Sequence, residues 1–198
     1  DQLTAFGEFY GDCVRAEEVI TVLPVSGDTY VDGRIGRQSY GDKGRLKITA
    51  DWREATRSTL LYFDLSQVPD EAQILEAELL LEAVARTNHQ SLRFHVGPAS
   101  AVWDEGITSA QAQAAGLRRD APSIPCVVAL ADVPVTCDVS EIVRKWHQGD
   151  EENTGLVLDT VGAGNGGNIT YSFASSEWVE GPQQGPQLRI RHVTRGSR

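Results

Sequence analysis

The sequence predicts an all-β chain of two packed antiparallel sheets with one short helix near residues 140–148, and three observations carry that prediction. In residues 75–85 every odd position is apolar (Leu75, Ala77, Leu79, Leu81, Ala83, Ala85), while Glu76, Glu78 and Glu82 hold even positions. Successive side chains of a strand point to opposite faces, so a period of two is the mark of a half-buried strand. The same alternation recurs where Leu92, Phe94 and Val96 interleave with Arg93 and His95. Glycines at 33, 36, 41 and 44, and the stretch DTVGAGNGGN at 159–168, punctuate the runs with turn chemistry. Composition within 75–85 pulls the other way, because Glu, Ala and Leu are good helix formers.

A resemblance decides between the two. The phrase RSTLLYFDLSQVP at 57–69, followed by A-x-I-L-x-A-x-L-x-L at 72–81, resembles the signature hairpin of the DNRLRE family of secreted β-sandwich domains. Three further stretches are similar to that family's pattern: DTYVDGRIGRQSYGDKGRLKI at 28–48, DVSEIVRKWHQGDEENTGLVL at 138–158, and SFASSE at 172–177 followed by PQLRI at 186–190. The resemblance implies that both runs of the central phrase are strands in a jelly-roll-like β-sandwich. It also implies an exported protein and a structural anchor role for Trp103. The expected organisation is an arm at 1–15, the sandwich at 16–193 and a basic tail at 194–198.

The elements follow in order. Residues 19–25 read as the first strand, ended by Pro24 and the Ser26-Gly27 pair, and residues 109–115 hold a helical turn within a long connection. Residues 127–130 and 133–137 read as strands of a hairpin. Asp138 or Ser140 caps the short helix, whose face is Ile142, Val143 and Trp146 and whose end is Gly149. The strands at 155–159, 169–173 and 187–193 complete the set.

A formal net charge of -10 argues against nucleic acid as a partner, since phosphate binding needs a basic surface. No apolar run reaches the length of a membrane span. The chain starts at Asp1 and contains no Met, so the expectation is an extracellular or cell-surface form left after removal of a signal peptide. Cys126 and Cys137 flank VVALADVPVT, so a disulfide clamping the ends of a hairpin is expected there. Cys13 is then a free thiol or bonds another chain; pairing within the chain, or three reduced thiols, are the alternatives. No nucleophile elbow, zinc helix, phosphate loop or dinucleotide fingerprint occurs, and His89, His95, His147 and His192 show no ligand spacing. The expectation is a protein without catalysis.

Two functional readings follow. In the first, the chain is the subunit of an extracellular homo-polymer. Leu3, Ala5 and Phe9 lie on one face of the arm and Phe6 and Tyr10 on the other, and the arm adds as a strand to the next subunit; packing on its own sandwich is the alternative. The alternative is a carbohydrate-binding module for an acidic polysaccharide. Lys43, Arg45 and Lys47 alternate with Gly44 and Leu46, which lines cations up on one strand face about 7 Å apart, a spacing that meets successive carboxylates. Tyr40 and Trp52 lie close enough in sequence to stack on sugar rings, and either serves equally well as core. A solvated strand face is the plainer account of the cations. Calcium is a candidate ion at Asp159, Asn165 and Asn168, although without EF-hand spacing a plain turn is the simpler reading. Asn168-Ile169-Thr170 is a glycosylation sequon.

Overall fold

The computed structural model describes residues 16–51, 57–131, 133–161, 163–181 and 184–195. The expectations placed on Leu3, Ala5, Phe6, Phe9, Tyr10, Cys13 and Trp52 lie outside the described residues, as does most of the basic tail. In chain order the elements are β1 (Ala16–Pro24), β2 (Gly27–Asp32), β3 (Arg45–Ala50), β4 (Arg57–Tyr62), β5 (Gln73–Arg86), β6 (Leu92–Pro98), α1 (Ser109–Ala114), β7 (Ile124–Val128), β8 (Pro134–Asp138), α2 (Ser140–Gln148), β9 (Leu156–Asp159), β10 (Ile169–Ala174) and β11 (Gln187–Arg195). The first sheet runs β1-β11-β5-β10-β3, with β8 also paired to β5; the second runs β2-β4-β9-β6-β7. Every pairing is antiparallel. Nine pairs join β1 to β11, from Ala16 against Arg195 to Pro24 against Gln187.

Alternation beats helix propensity in β5, as expected, but over a shorter stretch than the sequence pattern spans. Ala77, Leu79, Leu81 and Ala83 are buried, while Leu75 and Ala85 are only half-buried. Register shifts explain both ends. Arg191 pairs with Glu76 and His192 with Ile74, which skips Leu75 and puts Ile74 in the core. Ser172 pairs with Ala85 and Phe173 with Ala83, which skips Val84. One extra residue on a strand flips every side chain beyond it. Each leucine buried in the middle stretch contributes roughly 2 kcal/mol.

The strands of the central phrase are correct and their pairing is not. β4 bonds to β2 and β9 in the second sheet, β5 to β11, β10 and β8 in the first, so the 63–72 connection crosses the sandwich instead of closing a hairpin. The expected 126–137 hairpin is corrected in the same way: β7 pairs with β6 and β8 with β5. The single expected helix becomes two, because the turn at Ser109 is a capped helix. Thr108 Oγ1 accepts from the Gln111 N–H, and Gln111 Oε1 accepts from the Thr108 N–H.

The core fills the space between the sheets, with Phe94 and Phe173 meeting edge to face at 6.2 Å. Helix α2 plugs one end through Val139, Ile142, Val143 and Trp146. The expected cap by Asp138 or Ser140 is corrected: Val139 holds the cap position without a side-chain cap hydrogen bond, and Asp138, one residue earlier, accepts from the Ser140 N–H at 2.9 Å; Gly149 ends the helix in the left-handed conformation at φ 75°. A second, smaller core lies outside the second sheet. There Leu60 and Val157 meet Ala99, Ile107 and Ala112 from the 99–120 segment, with Trp103 and Leu117 beside them. Trp103 Nε1 donates to Thr154 O at 3.0 Å, the anchoring role the resemblance implies.

Candidate functional site

The 99–120 segment covers the outer face of the second sheet over Leu60 and Val157, while Arg93 and Val127 at its β6–β7 end stay exposed; the first sheet's outer face and the two side edges are further candidate surfaces. On the first sheet's face Arg189 Nε donates to Glu78 at 2.9 Å, and Arg191 pairs with Glu76 at 3.1 Å and Glu18 at 3.3 Å. Glu76, Glu78, Arg189, Arg191 and Ile20 line a hollow of about 230 Å³. Three carboxylates take two guanidinium groups there, so among the described residues the hollow itself has no cation left for an anionic ligand.

One side edge is where β7 meets β8. The expected Cys126–Cys137 disulfide closes it across a Cα–Cα distance of 5.9 Å, joining one sheet to the other. Cys126 and Cys137 are both buried, among apolar neighbours.

The other edge, where β2 and β4 approach β3, is polar and basic. Leu46 and Ile48 point into the core, and Arg45 and Lys47 alternate with them on the opposite face, as the sequence predicts. Lys43 sits in the turn before β3 and pairs with Asp42 at 2.9 Å. Arg57 opens β4; its Nε donates to Asp32 at 2.7 Å and its Nη1 to Thr49 Oγ1 at 3.5 Å. Thr59 Oγ1 donates to Lys47 O at 3.0 Å, which ties the two sheets across this edge. The Lys47 ammonium lies 5.5 Å from the centre of the Tyr30 ring, within cation–π reach. Burial pushes its pKa down, and the Arg57 and Arg45 charges push it further, against the pull of Asp32. Among the described residues Lys47 has no ion-pair partner.

Tyr40 takes the core alternative: it is buried and stacks on Tyr30 at 4.2 Å with 22° between the rings. Burial, with the neighbouring Tyr40 adding to it, pushes the Tyr30 hydroxyl up to about 12. Arg45 pairs with Glu180, and its guanidinium lies 5.2 Å from the centre of the Trp178 ring.

Trp178 and Glu180 belong to a strap at 175–181 whose root is held by β2 and the turn before β3. Ser175 Oγ donates to Lys43 O at 2.8 Å. The Ser176 N–H donates to Asp28 Oδ2 at 2.8 Å and its hydroxyl to Oδ1 at 3.2 Å. The Asp28 N–H in turn donates to Glu105 Oε1 at 3.0 Å. The carboxylates of Asp28, Glu105 and Glu177 come within 4.8 Å of one another. Burial pushes Asp28 up to about 7; the Ser176 N–H opposes the rise, and the Glu177 and Glu105 charges add to it. Gly41 lets the 99–120 segment this close, since a Cβ there would lie 2.5 Å from Glu105 O. Gln38, Ser39, Lys43, Glu105 and Glu177 border an open cleft of about 650 Å³ above the trio.

The three expected calcium ligands have other partners. Asp159 accepts from the Val161 N–H at 3.0 Å and pairs with Arg119 at 3.3 Å. The Asn165 side chain bonds both the N–H and the carbonyl of Arg93, and the Asn168 carbonyl accepts from Asn88. Seven residues of the basic edge, the strap and the carboxylate trio escaped the sequence reading as site residues: Asp28, Tyr30, Arg57, Glu105, Glu177, Trp178 and Glu180. The first three stand inside the phrases that carry the family resemblance, so the signal was present but not assigned a role.

A family model described as carbohydrate-binding module family 96 matches residues 19–192, from within β1 to within β11. The sandwich is common ground between that match and the resemblance to the DNRLRE family, which is not itself the family matched. No curated protein matches the chain.

Proposed function

We propose, from the premise that the chain belongs to carbohydrate-binding module family 96, that it is a non-catalytic module binding an acidic polysaccharide along the β2–β3 edge. The observation that carries this reading is Lys47: a cation beside two others whose carboxylate partners, Asp32 for Arg57 and Glu180 for Arg45, leave it without an ion pair of its own among the described residues. The charged amine is disfavoured there by burial and by the Arg57 and Arg45 charges, and a ligand carboxylate relieves that. Arg45 and Lys47, two positions apart on one strand, are spaced at about 7 Å, which suits carboxylates on neighbouring sugars.

A neutral polysaccharide fits this edge less well. The usual platform for it is a bare aromatic face, yet Tyr30 and Tyr40 cover each other and Trp178 lies under Arg45. The buried disulfide suits an oxidising, extracellular setting. The polymer reading rests on residues 1–15, outside the described residues, and the family match favours the carbohydrate reading over it.

Electrophoresis through gels holding a polyuronate or a neutral glucan tests the proposal. The wild-type chain is slowed by the polyuronate alone, and less so as salt rises. Replacing Lys43, Arg45 and Lys47 together by Ala removes the retardation; unchanged mobility of that variant would assign binding to another surface.

A further inference from the structure

Three carboxylates gathered at the root of a strap whose far end packs against Arg45 call for a function of their own. Asp28 is fully buried, and what covers it is the strap, through Ser176 and Glu177, and the 99–120 segment, through Glu105. Among the described residues none of the three has an ion-pair partner. The turn at 38–43 presents Lys43 and Asp42 to the same cleft, and these two pair with each other. On β4 the residue opposite Asp28 is the apolar Leu61.

We propose that Asp28, Glu105 and Glu177 form a proton-operated latch: a proton held in the trio keeps the 175–181 strap closed over the basic edge, and its loss releases the strap. The physical reason is linkage. An ionised carboxylate is stabilised by water, and Asp28 reaches water only if the strap and the 99–120 segment part. Removing the proton therefore favours the open arrangement, and mutual repulsion among three like charges within 4.8 Å acts in the same direction. The strap's far end places Glu180 and Trp178 on Arg45. Glu180 thus stands where a ligand carboxylate would pair, and opening the latch hands Arg45 to the ligand.

The burial-raised value of about 7 puts the transition at neutral pH, well above an ordinary aspartate. The consequence for Arg45 rests on the carbohydrate-binding reading; the latch does not.

The test uses the full chain without sugar. Carboxyl resonances are followed by NMR between pH 4.5 and 9, and amide exchange of residues 175–181 is measured over the same range. The expected result is one carboxyl midpoint near 7, with strap exchange several-fold faster on its alkaline side after correction for the intrinsic rate. Asp28→Asn abolishes the step. Glu177→Gln moves the midpoint to lower pH, because a negative neighbour is gone, and this exposed substitution decides the matter if Asp28→Asn fails to fold. Titration of Asp28 near 4, or a strap indifferent to the midpoint, overturns the proposal. So does a response to millimolar calcium with no midpoint near 7. Polyuronate retention is then read against pH: no retention at any pH overturns the binding reading alone, whereas retention without a rise across pH 7 overturns the coupling of latch to site.

Discussion

The sandwich is closed along its two side edges by opposite means. Where β7 meets β8, a buried disulfide joins the sheets among apolar side chains. Where β2 and β4 meet β3, the joints are hydroxyls, a guanidinium and a buried carboxylate: Thr59 to Lys47, Arg57 to Asp32 and Thr49, Thr160 to Thr49. A covalent staple leaves nothing over for a partner. Polar closure does, because each charged joint brings field with it and Lys47 is left without an ion pair of its own among the described residues. Under the proposed function the first edge contributes stability alone, and the second contributes both stability and recognition.

The largest effect that would break this comparison is loss of the staple. Replacing Cys126 and Cys137 by Ala removes an eleven-residue closure and lowers unfolding free energy by about 3 kcal/mol, read by denaturant melts. Polyuronate retention under native conditions stays unchanged; a parallel loss of retention would mean that the edges are not independent. Next comes Arg57→Ala, which strands the buried Asp32 and lowers stability by about 2 kcal/mol.

Lys47→Met separates the two roles most sharply. Because folding lowers the Lys47 pKa, the charged amine is disfavoured in the native state, so the variant is as stable as wild type or more so. Polyuronate affinity nevertheless falls on the order of tenfold, about 1.4 kcal/mol. A loss of stability would make Lys47 a structural residue. Smallest is Glu180→Gln, which frees Arg45 from its surface partner and tightens retention about two-fold.

The basic edge also sets a pH trend. Asp28 is raised from 3.8 to about 7 in the native chain, so between those values the folded state holds more protons than the unfolded one. Stability therefore falls as pH rises through that window and levels off above 7. Asp28→Asn removes this slope, which thermal melts at pH 4.5 and 8 resolve.

What could be read from the sequence follows the same division. Strand identity was legible wherever one face is buried, in β5 and in β6 with its alternating Leu92, Phe94 and Val96. The partner of a strand was not: alternation says which side chains go inward, not whether the next run turns back in the same sheet or crosses to the other, and both expected hairpins crossed. Leu75 and Ala85 were misplaced because a bulge depends on the register of β11 and β10, more than eighty residues away. The disulfide was legible because pairing needed only proximity. The alternation of Arg45 and Lys47 was legible too, as a local pattern. Trp178 and Glu180 were not, since they reach the edge from a segment more than a hundred residues away and only the folded sandwich puts them there; Arg57 stood in the central phrase, but its pairing with Asp32 needs the β2–β4 register.

The pairing of Ala16 with Arg195 has a mechanical consequence. Chain entering β1 and chain leaving β11 emerge side by side at one corner of the first sheet. A pull applied through both would open the nine pairs one after another, like a zip, instead of loading them all at once in shear. Under tension the module would yield at that corner first, while the disulfide-tied strands β7 and β8 remained joined.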